Sequence, residues 1–380
     1  MPEPGHTRLR YIDWLRGLAC LGMIEVHAYD AWLNSSGRAS TFFRESQFSG
    51  TLPAPLFMFL AGIAAALLVD RMRRKGAPAN EIATRLIRRG AQIFGLGVLF
   101  RIQEYLLGLP KAPWTDLLRV DVLNLFGLSI AFMGILCWVV RTRARSVIFA
   151  AAVATAISLA TPLLWTIWRP RWLPWYLESY INGVHIYGSP RPWLFPMFPW
   201  MAFAFAGLAA GFLLSSEWSA ANPSRTMVLL AAGGVGLFAL SEWFEALPVQ
   251  IYPVHDYWHT SPDFFLARLG ALLVVLLGGY SWCRWGPGRA GFSPLAQLGQ
   301  TSLLIYWVHT EFVYGRLSIL TRHTQTIPTA TLGVVVVCAL MLLLSLARTR
   351  LKGRGAEILA WRGLLRSGLL RRAPRPATEG

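Results

Sequence analysis

The sequence predicts an all-α membrane protein, a bundle of about ten transmembrane helices with both termini in the cytoplasm. Hydrophobic residues make up 54% of the 380 residues and charged residues only 14%, whereas a soluble domain carries about 25% charged residues. Apolar segments of near-spanning length recur along the whole chain. They lie at residues 11–33, 54–70, 86–107, 120–140, 145–166, 194–214, 226–246, 264–282, 296–320 and 328–347.

The distribution of basic residues indicates the orientation in the membrane. The chain has a net charge of +17, from 36 basic and 19 acidic residues. With the N-terminus inside, most Lys and Arg fall in the inner connections, above all in 71–89, and in the C-terminal tail, as the positive-inside rule requires. This pattern explains the positive charge without nucleic acid as a partner.

The domain organisation is predicted to be simple. The first apolar stretch is long, charged and without a small-residue cleavage site, so it should remain as helix one and not act as a cleaved signal. The connections are short, so residues 1–347 should form one membrane domain and residues 348–380 a basic cytoplasmic tail. From Glu357 the tail has apolar positions at helical spacing between arginines. Both an amphipathic helix on the inner leaflet and a solvated disordered tail fit this pattern.

The first predicted helix contains five ionisable residues, Asp13, Arg16, Glu25, His27 and Asp30. Each such group inside a spanning helix costs about 2–4 kcal/mol on insertion scales unless it has a partner or water. Arg16 and His27 are eleven residues apart, so they share one face about 16 Å apart along the axis. Both aspartates lie near that face and Glu25 lies on another. This stripe predicts the lining of a site.

Metal chemistry and nucleotide-binding loops are not predicted. The four cysteines lie in or beside predicted helices and are typical of small apolar residues there. We find no P-loop, no zinc-protease or serine-hydrolase motif and no metal-ligand spacing. Most histidines fall toward the predicted outer side, at His27, His185, His255, His259 and His323. Because the cations concentrate inside, this polarity favours a reaction between an anionic cytoplasmic donor and an outer acceptor.

Six segments carry a resemblance to a known family. They are YIDWLRGLACLGMIEVHAYDAW with its Arg16-x10-His27 spacing, PLFMFLAGIAAALL, VDVLNLFGLS, FPWMAFAFAGLAAG, FFLARLG and LGQTSLLIYWVHTEFVYG. Through them the chain resembles the bacterial branch of the heparan-α-glucosaminide N-acetyltransferase catalytic-domain family. That family belongs to the transmembrane acyltransferase superfamily and is related to acyltransferase-3 proteins. The segments cover nearly the whole chain.

The resemblance implies an enzyme of a bacterial inner membrane that uses acetyl-CoA, or another acyl-CoA, without a metal. The acyl group would pass to an extracytoplasmic glycan or glycolipid, with membrane lipid around the bundle; homo-oligomer formation stays open. In the lysosomal sugar N-acetyltransferase the proposed active histidine lies in the loop before the next helix. Residues 34–51 here contain no histidine, so the role falls to His27, and N- versus O-acylation stays open.

His27 and Asp30 are the predicted catalytic residues. The imidazole suits a general base on an acceptor hydroxyl or amine, or a nucleophile that holds the acyl group. Asp30 is three residues further on, so it can lie beside the imidazole and fix its tautomer. The alternative is a histidine at a helix end that contacts interfacial water.

The predicted donor-binding residues are Arg16, Arg88, Arg89, Tyr306 and His309. Arg16 could hold the phosphates or the pantetheine carbonyls of the donor, or pair structurally with the nearby Asp13. The two adjacent arginines begin a helix that enters the bundle, although the positive-inside rule also explains them. Tyr306 and His309 share a face at mid-membrane depth and could line the site or only form a packing hydrogen bond.

The predicted acceptor-binding residues are Asp121, Asn124, Arg268 and Glu311. Asp121 and Asn124 share a helix face, and an ion pair between Asp121 and Arg268 could shape an acceptor pocket or be purely structural. Glu311 lies about 200° from His309 on the same helix and should face a different neighbour. The Trp and Tyr residues of the outer segments could stack on sugar rings or form an interfacial belt.

The main alternative function is a proton-coupled transporter of a small solute or a lipid-linked sugar. Ionisable residues inside a bundle of spanning helices are typical of such proteins. The sequence lacks an inverted repeat and a matched pair of broken helices, which argues against this class. A scaffold subunit of an envelope complex is a weaker alternative.

Overall fold

The chain folds into helices throughout the part that the structure describes. The computed structural model describes residues 9–183, 195–249, 251–254, 256–286 and 291–370, and the side chains of residue 47 and of 353–370 lie outside that description. The helices are α1 (Arg10–Trp32), α2 (Ser35–Arg38), α3 (Thr41–Gly50), α4 (Pro53–Arg74), α5 (Ala79–Gly108), α6 (Val122–Val139), α7 (Arg143–Thr166), α8 (Trp175–Asn182), α9 (Met197–Leu214), α10 (Glu217–Ala221), α11 (Pro223–Glu245), α12 (Pro262–Trp285), α13 (Pro294–Gln300), α14 (Ser302–Val313) and α15 (Ile327–Leu370). A short 3-10 helix, Trp114–Leu118, precedes α6. These described ranges contain no β-strand apart from one isolated bridge between Leu33 and Gln325, which confirms the all-α prediction.

Seven stretches of the described chain are long and apolar enough to cross a bilayer. They are Thr41–Arg74, Trp114–Val139, Arg143–Thr166, Met197–Leu214, Pro223–Glu245, Pro262–Trp285 and Ile327–Lys352. The protein is therefore an integral membrane protein, as predicted. Two further long helices, α1 and α5, have charged side chains along their length. The predicted 296–320 segment is divided between α13 and α14. The count of about ten spans and the cytoplasmic termini stay predictions.

Prolines mark where several of the long helices begin. Pro53, Pro223, Pro262 and Pro294 each occupy the first turn of their helix. A proline is favoured there because the first backbone N–H groups of a helix have no partner within it and the fixed φ angle suits the helix. The sequence thus sets the starts of α4, α11, α12 and α13 locally.

Helix α1 lies between two hydrophobic clusters. The larger cluster packs α4 and α9 with parts of α6, α7 and α12, around side chains such as Phe59 and Phe203. The smaller cluster packs the second half of α1 against α14 and α15, around Trp32 and Ile305. Because α1 contributes to both, its polar residues lie at the centre of the bundle.

Glycines allow a close approach between α1 and α13. A Cβ atom at Gly17 would overlap the backbone of Leu295, and one at Gly299 would overlap the backbone of Asp13. Only glycine therefore allows these two helices to touch along their backbones. This contact places Gln300 and the start of α14 beside the charged first half of α1.

The predicted tail is partly helical. Helix α15 continues without interruption to Leu370, and residues 371–380 lie outside the described residues. The predicted amphipathic face from residue 357 also falls on side chains outside the description. The division into a membrane domain and a surface tail stays a prediction.

Candidate active site

A cavity of about 1440 Å³ lies inside the bundle. Its first end is lined by arginines from three helices, Arg16, Arg89 and Arg348. Its second end is lined by polar and aromatic residues that include Arg44, Asp256, Trp258 and His259. His27 and Tyr306 also line the wall, and His27 lies eleven residues, about 16 Å, along α1 from Arg16.

His27 forms a hydrogen-bonded pair with His309. The Nδ1 atom of His27 lies 2.9 Å from Nε2 of His309, and the two rings are nearly parallel with centroids 5.1 Å apart. His309 is fully buried, and its Nδ1 lies 2.8 Å from the carbonyl oxygen of Ile305. Since a carbonyl only accepts, His309 Nδ1 carries the hydrogen and its Nε2 accepts from His27 Nδ1–H. The remaining nitrogen of His27, Nε2, then has a free lone pair.

His309, and not the predicted Asp30, is the hydrogen-bond partner of His27. The carboxylate of Asp30 instead accepts a hydrogen bond of 2.9 Å from the Tyr314 hydroxyl and pairs with Arg38 at 3.3 Å. It is exposed near the end of α1. The expected contact with the imidazole is absent because packing of α14 on α1 brings a second histidine to that nitrogen.

Tyr306 is fixed by a carboxylate behind the cavity wall. Its hydroxyl donates to the two oxygens of Asp121, at 3.1 and 3.0 Å, and Arg101 Nε lies 3.5 Å from the same carboxylate. Tyr306 and His309 lie on one side of α14, with ring centroids 6.1 Å apart, as their spacing predicted. No role was predicted for Arg101, although an arginine inside a long apolar helix is a usable signal.

Asp121 and Asn124 form the N-terminal cap of α6. The Asp121 carboxylate accepts from the backbone N–H of Leu123 at 2.9 Å, and the Asn124 side chain accepts from the Asp121 N–H. The Asn124 amide also donates to the carbonyl of Phe94 on α5, at 3.0 Å. Asn124 thus makes a structural contact between α5 and α6 and does not line the cavity, and its acceptor-binding role stays a prediction.

Arg268 does not pair with Asp121, so that predicted ion pair is wrong. It is fully buried and surrounded by four aromatic rings, at 4.2 to 5.5 Å from their centroids. These rings belong to Phe48, Tyr257, Trp258 and Phe264. Its Nε donates to the Thr51 hydroxyl at 3.3 Å. Arg268 therefore connects α12 to α3 and to the loop before α12, beneath the second end of the cavity.

Glu311 faces α5, away from the histidine pair, as its angle on the helix predicted. Its carboxylate accepts a hydrogen bond of 2.8 Å from Gln103, whose side-chain oxygen accepts one from the Trp307 indole, also 2.8 Å. Glu311 is not among the residues that line the cavity. Glu311 therefore belongs to the contact between α5 and α14. Gln103, which bonds to both Glu311 and Trp307, was not predicted from the sequence.

The predicted donor-binding arginines differ in their placement. Arg16 lines the cavity and also lies 3.7 Å from Asp13, so both interpretations of this residue are compatible with the structure. Arg89 lines the cavity, and the adjacent Arg88 does not. Helical geometry explains the difference, because neighbouring residues are about 100° apart around the axis.

The second end of the cavity has an acid and an imidazole at its rim. Asp256 accepts a hydrogen bond of 2.9 Å from His259, and this bond lowers the pKa of the Asp256 carboxyl. The rings of Trp165, Trp200 and Trp258 line the same cavity. His255 and residues 184–194 of the predicted aromatic outer segment lie outside the described residues.

Over the residues that were described, no group of three His, Cys, Asp or Glu could hold a metal ion.

Comparison with known proteins gives one family. The family model described as "Heparan-alpha-glucosaminide N-acetyltransferase, catalytic" matches residues 8–239. The match includes α1 with Arg16 and His27, and it ends before α14 and α15. A search of the curated proteins finds no match.

Proposed function

The chain belongs to the heparan-α-glucosaminide N-acetyltransferase catalytic family and is a membrane acyltransferase, and on that premise we propose its reaction. The protein transfers an acetyl group from cytoplasmic acetyl-CoA to a hydroxyl or amino group of a sugar on the outer side of the membrane. The observation that carries the proposal is His27, paired with the buried His309, on the wall of a cavity whose first end is lined by arginines.

The shape of the cavity fits a donor with a charged end and a reactive end. Guanidinium groups suit the phosphates of CoA, because they present several N–H donors in a fixed plane. Arg16 and Arg89 provide such groups at one end. The extended pantetheine arm would then follow the apolar wall past Tyr306 and bring the thioester to His27. The nucleotide would stay at the arginines, so CoA itself need not cross the membrane.

His27 is the proposed general base. As the acceptor oxygen or nitrogen attacks the thioester carbonyl carbon, Nε2 of His27 takes its proton, and a tetrahedral intermediate forms. When the carbon–sulfur bond breaks, the imidazolium returns that proton to the leaving thiolate. The products are the acetylated sugar and free CoA, with no net proton released. Proton transfer of this kind contributes about 10²- to 10⁴-fold to a rate.

His309 is a positioning residue for His27. Its own Nδ1–H is held by the Ile305 carbonyl, so its Nε2 accepts from His27 Nδ1–H before and after proton transfer. This bond keeps the His27 ring in the tautomer whose Nε2 is basic, and it stabilises the imidazolium. The orienting carboxylate of a serine-protease triad acts in the same way, with a full negative charge in addition.

The second end of the cavity is the proposed acceptor side. Trp258 provides an apolar ring face on which a sugar can stack. Asp256 and His259 provide hydrogen-bonding groups at the rim. A sugar bound there could extend a hydroxyl or amine toward His27.

Transfer of labelled acetyl groups in inverted membrane vesicles tests the proposal. Acetyl-CoA is added to the exposed cytoplasmic face, and label in the envelope glycan is measured for the wild type, His27→Ala and His27→Gln. We expect both substitutions to lower transfer by about 10²- to 10⁴-fold. The matched control is His323→Asn, because His323 is an exposed loop histidine that does not line the cavity, and it should retain activity.

Two outcomes would contradict parts of this account. Undiminished transfer by the His27 variants would remove His27 from the chemistry and leave the enzyme class intact. Absence of both acetyl-CoA binding and label transfer in the wild type would contradict the transferase and favour the transporter alternative.

A further inference from the structure

Arg348, on the last helix, lines the same cavity as Arg16 and Arg89. The polar residues Gln300 and Thr301 line the cavity next to it in the fold. The family match ends at residue 239, so α15 lies beyond it. A cationic side chain of α15 thus joins cations of α1 and α5 around one cavity.

Hydrogen bonds fix the turn of α15 that holds Arg348. Gln297 on α13 donates to the hydroxyls of Ser345, at 2.9 Å, and Thr349, at 2.8 Å. Thr301 donates to the buried Ser345 hydroxyl at 2.6 Å. These contacts flank Arg348 on both sides in the sequence. Because α13 also touches α1 along its backbone, the three helices form one frame around this end of the cavity.

The guanidinium groups of Arg348 and Arg89 have no protein partner in the part of the chain that the structure describes. Other arginines at this end of the bundle differ: Arg73 donates to the Val140 carbonyl at 2.6 Å, and Arg143 binds the Asp70 carboxylate at 2.7 Å. A guanidinium has five N–H donors. Both side chains are exposed and take part in the lining of the cavity, so a ligand there can bind these donors.

We propose that Arg348 is a specificity-determining residue of the donor site that binds a phosphate group at the nucleotide end of acetyl-CoA. The proposal rests on the proposed function and extends the donor site to α15, outside the segment that the family model matches. Two phosphate sources fit the same chemistry, the 3′-phosphate and the pyrophosphate of CoA. Arg348 sets affinity for the charged end of the donor and has no part in the acetyl transfer itself.

Ligand binding to the purified full-length protein in detergent tests this proposal by calorimetry. The probes are CoA, 3′-dephospho-CoA and pantetheine, and the variants are Arg348→Gln, Arg348→Lys and Arg350→Gln. Arg350 is the matched control, since it is an exposed arginine two residues along the same helix that does not line the cavity. We expect Arg348→Gln to weaken CoA binding about tenfold, the size of one charge-assisted contact. Arg348→Lys should keep part of the affinity, and Arg350→Gln should match the wild type.

The shorter probes locate the contact. Pantetheine, which has no phosphate, should bind wild type and Arg348→Gln equally. If Arg348 binds the 3′-phosphate, the tenfold difference disappears with 3′-dephospho-CoA; if it binds the pyrophosphate, the difference remains. Equal CoA affinity of wild type and Arg348→Gln, or an equal loss in Arg350→Gln, would overturn the inference and leave the proposed function standing. A wild type that does not bind CoA would overturn both.

Discussion

Arg268, near the second end of the cavity, differs in its contacts from Arg89 and Arg348, which line the first end. At one end Arg89 and Arg348 line the cavity and, among the described residues, have no protein partner. At the other end Arg268 is fully buried among four aromatic rings and bound to Thr51. The first two are accessible to a ligand, whereas Arg268 holds separate elements of the protein together.

A cation inside a membrane protein therefore does not by itself mark a binding site. Burial of a charge is costly unless it has partners. Four aromatic faces, the Thr51 hydroxyl and two carbonyl groups contact Arg268 from within the protein, while its Nη2 has no hydrogen-bond partner among the described residues. Arg89 and Arg348 at the first end are exposed and, among the described residues, have no protein partner, so the phosphates of a ligand can bind them. The contacts of a charged side chain therefore decide between a structural and a binding role.

The largest effect predicted from this comparison is on stability. Arg268→Ala removes the cation from its aromatic cage, breaks the contact with α3 and leaves a void, so we expect a loss of about 3 kcal/mol in unfolding free energy. Arg89→Ala should leave stability unchanged because Arg89 has no protein partner within the described residues. Thermal unfolding of both variants in detergent measures the difference. Equal stability of the two would contradict the structural role of Arg268.

A smaller effect is predicted on donor affinity at the first end. Arg89→Gln should raise the KM for acetyl-CoA about tenfold, or about 1.4 kcal/mol, through loss of one charge-assisted contact. Arg88→Gln is the matched control, because Arg88 is adjacent in sequence and does not line the cavity. Its KM should stay within about twofold of the wild type. Steady-state kinetics with varied acetyl-CoA separates the two, and an equal rise in both variants would indicate a general effect of surface charge.

Much of the fold followed from local sequence properties. The length and apolarity of the segments predicted a helical membrane protein, because the bilayer requires internally hydrogen-bonded helices of a set length. The division of 296–320 into α13 and α14 was not predicted. Next to the break, Gly299 approaches the backbone of Asp13 in α1, a contact between segments about 280 residues apart that periodicity cannot show.

The site was predictable where one helix determines it and not where two helices meet. The Arg16–His27 stripe on α1 and the shared face of Tyr306 and His309 both follow from 100° per residue. The pairing of His27 with His309 depends on how α14 packs against α1, so the sequence favoured the nearby Asp30 instead. Arg268 was similarly considered as a partner of Asp121, because three of its four aromatic partners, Phe48, Tyr257 and Trp258, come from α3 and a loop.

The turnover number of His309 variants shows whether His309 orients His27 for acetyl transfer. We expect His309→Ala to lower kcat on the order of 100-fold, less than the ~10⁴-fold caused by loss of an orienting carboxylate. His309→Gln, whose amide oxygen can still accept from His27 Nδ1–H, should recover part of the loss. The KM for acetyl-CoA should not change, and the control Asp30→Asn should keep its activity. A kcat of His309→Ala equal to the wild type, or a large loss in Asp30→Asn with none in His309→Ala, would contradict the account.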